Sequence, residues 1–258
     1  MVQRQTPLSI PESDPRACSA GARVNALHRV SFFAHLDHEA LHRVDGHASM
    51  RGMDADEGVY LAGRPADRLY VVATGAVKLT ARTSDGTTVL LDVLGSGSFV
   101  GTLPTLGGAT YGESAWALTP GCLLSFTAGG FDAVLREHPS VAREALSAVG
   151  ARLRAAQERI QRTAAASAPV RVASTLLVLA ERLGVPDGER VLIDVPLARE
   201  DLASLAGCAP ETVSRSLARW SRDGIVDTGR RWVALRRPDH LAEVAGVQTG
   251  LKVPEQTG

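Results

Sequence analysis

The chain has 258 residues, 45% hydrophobic and 22% charged, with 28 basic against 28 acidic side chains and a formal net charge of zero. That length buries a sizeable core and suits two domains, and the composition excludes a collagen-like, intrinsically disordered or membrane-embedded chain. A neutral total also excludes a polyanion-binding surface spread over the whole molecule, so any nucleic-acid contact must come from a local patch.

Residues 1–23, rich in Pro, Ser and Arg, are expected to form a disordered tail. They carry no apolar signal-peptide core, and "VASTLLVLA", the most apolar run, is too short to span a bilayer. The expectation is a cytoplasmic protein with no membrane partner. Cys18, Cys122 and Cys208 are widely spaced and odd in number, which predicts free thiols in a reducing compartment, with Cys122 a small buried hydrophobe. A short amphipathic helix is predicted over Asp37–Val44, with Leu41 and Val44 on its inner face. From Gly58 to Phe126, short β-branched runs alternate with Gly, Asp and Ser, the pattern of an antiparallel sandwich or barrel, and "SDGT" at Ser84–Thr87 marks a hairpin turn.

The period then becomes helical from His138 to Pro169. Leu146, Val149, Leu153, Ala156, Ile160 and Thr163 follow one another at spacings of 3, 4, 3, 4 and 3, a heptad seam. So narrow a stripe suits a helical partner better than a sheet, and a two-fold dimer helix is expected over a helix packed only on its own domain. "VRVASTLLVLAERLG" is a second helix, with Gly184 as its left-handed C′ residue. A strand ("VLIDVPL"), two short helices ("AREDLASLAG" and "PETVSRSLARWSRDG") and a two-stranded wing ("IVDTGRRWVAL") complete the chain.

Two short helices joined by a Gly-containing turn, with Leu202, Leu205, Val213 and Leu217 inside, form a helix-turn-helix pattern. In the second helix Val213, Leu217 and Trp220 recur at i, i+4 and i+7, so Glu211, Ser214 and Arg215 share the opposite face near its N-terminal half. Arginine can donate two bonds to guanine, glutamate can accept from cytosine, and serine can bond either partner. Thr212 and Arg199 suit phosphates, which set register rather than sequence. Between Arg215 and Arg237, Arg219 included, seven arginines face two aspartates, a local balance of +5. An enzyme reading lacks a segment for a catalytic domain, since no nucleophile elbow, P-loop, HExxH or strand–helix GxGxxG is present. A pure protein-interaction module built on the long helix is the remaining class.

"LAREDLASLAGCAPETVSRSLARWSRDGIV" resembles the DNA-binding segment of the CRP/FNR family of bacterial transcription regulators, and "PADRLYVVATGAVKL" and "GSGSFVG" resemble its β-roll. The likeness runs from about Val30 to Leu241. It implies an α+β fold: a β-roll sensor over 24–135, a dimerisation helix over 136–168 (Leu146, Val149, Leu153, Ala156, Ile160), a winged helix-turn-helix over 169–241 and a tail over 242–258. By the resemblance, Glu211, Ser214 and Arg215 read bases in a TTGA-type inverted repeat and Arg199 contacts the backbone. Pro210 stands where the cyclic-AMP receptor branch has arginine. Double-stranded DNA and a second copy of the chain are the implied partners, with RNA polymerase and a small-molecule effector as further candidates.

The family's cyclic-nucleotide cassette would fall on Ser98–Leu118. There Gly101 and Ser114 match, but Thr102 replaces the ribose-binding glutamate and Glu113 the phosphate-binding arginine, with Leu103 between them. A carboxylate facing a phosphate is repulsive, so the expectation is a degenerate pocket, retained for structure, and an effector other than cyclic AMP. The cofactor is left unknown. Three cysteines cannot supply one iron–sulfur cluster within a subunit, so a cluster would have to be shared between two subunits. His38 and His42, at i, i+4 among His28, His35 and His47, could ligate zinc or haem but are read as a solvated face.

Overall fold

The computed structural model describes residues 18–251, apart from the side chains at 152, 155 and 158–164, and these fall into two compact units that divide after Gln157. The expected tail over 1–17, the chain beyond residue 251 and the Ile160 side chain lie outside the described residues.

The first unit opens with two helices, α1 (Ala20–Arg29) and α2 (His38–Gly46). Ser19 and Asp37 cap them by accepting from Ala22 N and Ala40 N. Arg23 of α1 grips Asp45 of α2 through Nε and Nη2 at 2.8 Å each, a forked pair that fixes the two helices together. The tail expected to run to residue 23 therefore ends earlier, because Val24, Ala26 and Leu27 bury one face of α1. Eight strands follow: β1 (Ser49–Met53), β2 (Gly58–Tyr60), β3 (Arg68–Thr74), β4 (Val77–Arg82), β5 (Thr88–Leu94), β6 (Phe99–Gly101), β7 (Ser114–Ala117) and β8 (Gly121–Thr127). They form two antiparallel four-stranded sheets, ordered β1-β8-β3-β6 and β2-β7-β4-β5. The turn at Ser84–Thr87 closes the β4–β5 hairpin, with Thr83 N donating to Thr87 O.

Strands β3 and β8 are buried on both faces, and their period of two distributes the side chains. Leu69, Val71, Leu124 and Phe126 point to a core shared with the helices, including Phe33 and Phe131, whereas Tyr70, Val72 and Leu123 point to a core shared with the second sheet. The unit closes with α3 (Ala128–Glu137) and the start of α4 (Ser140–Ala165). Val141 and Ala145 are the buried face of α4.

The cysteine expectation is corrected here: Cys18 and Cys122 form a disulfide, with Cα atoms 6.2 Å apart. They are 104 residues apart in sequence, but α1 packs on β3 and brings the residue ahead of it over β8. An odd cysteine count did not reveal this pairing, and the argument for a reducing compartment built on that count no longer holds.

The second unit contains α5 (Ala168–Leu183), β9 (Gly184–Pro186), β10 (Val191–Ile193), α6 (Arg199–Ala206), α7 (Pro210–Arg222), β11 (Val226–Gly229), β12 (Trp232–Leu235) and α8 (Pro238–Ala245). Its antiparallel sheet runs β11-β12-β10-β9. Gly184 ends α5 in an extended conformation (φ −76°), not the left-handed one expected. The glycine is needed for space instead: a Cβ there would collide with the Ala180 carbonyl and Val191. The fold also continues past residue 241, because α8 reaches Ala245 and buries Leu241 and Ala242.

Candidate nucleic-acid interface and effector cavity

Helices α6 and α7 are joined by Gly207, Cys208 and Ala209. Gly207 takes the left-handed conformation (φ 60°, ψ 43°) that stops α6 and lets the chain turn sharply into α7. A feature that sequence reasoning missed holds this turn. Arg171 on α5 donates from Nε to Ala206 O (2.8 Å), from Nη2 to Gly207 O (2.9 Å) and from Nη1 to Ala166 O (2.6 Å). A cation thus satisfies carbonyls at the end of α6, where the helix dipole is negative. Burial pushes the neighbouring Cys208 thiol up, against the pull of Arg171. At the other end of α6, Asp201 accepts from the Ala198 amide at 2.8 Å.

Val213, Leu217 and Trp220 bury the inner face of α7, at 0%, 1% and 4% exposure. The outer face presents Glu211, Ser214, Arg215 and Arg219 to solvent, so the base-reading residues expected from the sequence share one exposed face. Thr212 is half-buried and its Oγ1 accepts from Arg215 Nη2 at 3.4 Å. Arg199 is placed differently from the other arginines. Burial lowers its pKa, and its Nη2 donates to Gly229 O of β11 at 3.4 Å, so part of this side chain is committed to holding the wing.

The local charge is also partly spent. Asp227 is paired with Arg190 (2.7 Å) and Arg236 (2.8 Å). Burial would push its carboxyl up, but the hydrogen bonds from Arg236 and Arg190 outweigh that and hold it below the usual range. Arg215, Arg219, Arg222, Arg230, Arg231 and Arg237 remain exposed, and they carry the positive character of this unit's outer face.

In the first unit, β6, the β6–β7 segment and α4 border an open cavity of about 280 Å³, lined by the apolar Phe99, Leu106, Tyr111 and Val149 and by Gly101, Thr102, Gly112 and Glu113. Of the expected pocket residues, Gly101, Thr102 and Glu113 are brought together. Leu103 instead lies fully buried in the helix-side core, and Ser114 Oγ accepts from Ala62 N at 3.0 Å, away from the lining. Tyr60, also missed from the sequence, orders the polar wall: its hydroxyl donates to Glu113 Oε1 (3.0 Å) and accepts from Gly101 N (2.9 Å). Its ring stacks on Tyr111 at 4.1 Å, and burial pushes the Tyr111 hydroxyl up to about 12.

On the side of α4 away from its own core, Leu146, Val149 and Leu153 stand 73%, 47% and 60% exposed, and Ala156 is exposed as well. Among the described residues no cluster of three or more His, Cys, Asp or Glu could hold a metal, and no helix is long and apolar enough to cross a membrane. His38 and His42 touch each other through Nε2 at 3.1 Å on the exposed side of α2.

Residues 51–138 match the cyclic nucleotide-binding domain family and residues 170–244 the Crp-like helix-turn-helix domain family. Over 187 residues the chain is 28% identical to the CRP-like cAMP-activated global transcriptional regulator of Mycobacterium tuberculosis, covering 72% of this chain and 84% of that one. It is 30% identical over 187 residues to the cyclic AMP receptor protein of Thermus thermophilus, covering 72% and 83%. The solved structure of FixK2 from Bradyrhizobium japonicum aligns with a TM-score of 0.68 at 27% identity, over 76% of this chain and 96% of that chain. With the roll, the long helix and the winged helix-turn-helix all in place, the chain belongs to the CRP/FNR family of DNA-binding transcription regulators.

Proposed function

We propose that two copies of this chain pair along α4 and bind an inverted-repeat, TTGA-type site in cytoplasmic DNA, with Glu211, Ser214 and Arg215 reading bases and Thr212 and Arg219 bonding phosphates. One observation carries the reading: α7 is anchored by Val213, Leu217 and Trp220 while its polar residues face solvent on one side. A helix so held can enter the major groove without rearranging its own core. The exposed Leu146, Val149 and Leu153 support the pairing, since monomers rarely leave so regular an apolar stripe uncovered. Two-fold pairing would set the recognition helices about 34 Å apart, one turn of the duplex.

The input acts at the cavity of the β-roll, and it is not cyclic AMP. Two of the relatives are named for that nucleotide, but here Glu113 sets a carboxylate in the cavity wall. The Cys18–Cys122 disulfide favours a second reading, in which oxidation state is an additional input. Fluorescence anisotropy on labelled duplexes tests both. The expected result is tight binding to inverted TTGA repeats, at least about 10³-fold over a scrambled duplex and weakening steeply with salt. Equal affinity for both duplexes removes the sequence-reading role, and identical curves with and without dithiothreitol remove the redox reading.

A further inference from the structure

The geometry points to a small organic cation as the ligand of the β-roll cavity: an amine, amidinium or guanidinium carried on an aromatic or branched apolar body. The inference rests on the reading of this cavity as the effector site and names the chemistry it selects. Glu113 is the one formally charged side chain in the described lining, and no basic residue stands there to neutralise it. Among the described residues only Tyr60 hydrogen-bonds its carboxylate, through Oε1, so Oε2 remains able to accept from a ligand. Tyr60 is itself fixed by the Gly101 amide, which places the carboxylate before any ligand arrives. Phe99, Leu106, Tyr111 and Val149 supply the opposing apolar surface, and aromatic faces attract cations. A volume near 280 Å³ falls just below the usual range of organic-ligand sites, roughly 300–1,000 Å³, and so suits a small ligand.

The same cavity has a way of reporting its occupancy. Val149 lines it and also belongs to the exposed stripe of α4, three residues after Leu146 and four before Leu153. A ligand seated against Val149 therefore meets different surroundings according to how the stripe is packed, and that difference in affinity is what couples binding to pairing. Anionic ligands, cyclic nucleotides among them, would bring like charge to Glu113.

Calorimetric titration of the full-length protein with benzamidine, its neutral isostere benzamide, benzoate and cyclic AMP tests the inference. Benzamidine is expected to bind at least about tenfold more tightly than benzamide, the ratio of one charge-assisted hydrogen bond, with no heat from benzoate or cyclic AMP. Glu113→Gln should erase the preference for benzamidine while leaving the unliganded melting temperature within a degree or two. The benzamidine–benzamide comparison on the unaltered protein stands even where that variant fails to fold. Equal affinity for the two isosteres, preferential binding of benzoate or cyclic AMP, or no binding of benzamidine overturns the inference. Anisotropy on the TTGA duplex with the same samples separates the failures: DNA binding without a cation preference sinks the ligand class alone, and loss of both sinks the regulator reading.

Discussion

Arg215→Ala tests the proposed base-reading role of α7 most directly, because the side chain does little to hold the helix in place. The side chain is exposed, and its hydrogen bond to Thr212 Oγ1 is a long one, 3.4 Å. Removing it should change stability by no more than about 0.5 kcal/mol, the usual range for a surface substitution. A guanidinium paired to a guanine contributes about 1–3 kcal/mol to base discrimination. A two-fold site uses the residue twice, so the variant should lose about 2–6 kcal/mol on an inverted repeat, or roughly 30-fold to 10⁴-fold in affinity. Non-specific binding should change little. The salt dependence distinguishes the alternatives: a base contact leaves the slope of log K against log salt unchanged, whereas loss of one phosphate contact per subunit flattens it by about 1.8. Anisotropy titrations at three or four salt concentrations, on specific and scrambled duplexes, read both quantities. An equal loss on the two duplexes with a flatter slope would refute the base-reading role and move Arg215 among the phosphate contacts. A large drop in melting temperature would instead show that the helix needs Arg215 to hold its place.

Two further outcomes follow from other parts of the chain. Replacing Leu146 and Leu153 together by Glu should leave the first unit folded, since both side chains are more than half exposed, but turn a dimer into a monomer by analytical ultracentrifugation; an unchanged sedimentation coefficient would remove α4 from the interface. Asp227 has its carboxyl held low by Arg236 and Arg190, so its contribution is complete above the ordinary value of about 3.9 and is lost as pH falls through the lowered one. Asp227→Asn should therefore cost about 1–3 kcal/mol in urea unfolding at pH 7, with the gap from wild type narrowing toward pH 3, and a gap independent of pH would contradict the pairing.

The fold was legible where one local period decides a residue's environment. The spacing of Val213, Leu217 and Trp220 placed the buried side of α7 and, by subtraction, its exposed polar face. The heptad over Leu146–Ala156 likewise placed the uncovered side of α4. Contacts between distant segments were not legible, because nothing in a local pattern encodes them. Arg171 reaches carbonyls 35 and 36 residues away, and Cys18 meets Cys122 across 104 residues. Arg199 shows a related point: its charge marks it for phosphate, and charge alone does not tell that its Nη2 also bonds the wing at Gly229.

The cavity combines both situations. Substituting Glu113 for a phosphate-binding arginine was visible from the sequence, and it argued against one ligand while leaving the pocket looking vestigial. Its polar wall is ordered by residues that the cassette pattern does not include. Tyr60 comes from β2, at the far end of the roll in sequence, and supplies the hydroxyl that fixes Glu113 and Gly101 together. Val149 comes from α4, where its spacing assigned it wholly to the seam. A position that serves a cavity wall and an uncovered stripe at once is under two packing demands, and periodicity reports only the stronger of them. If a ligand is coupled to pairing, the two meet at Val149, whose spacing declares only half of that position.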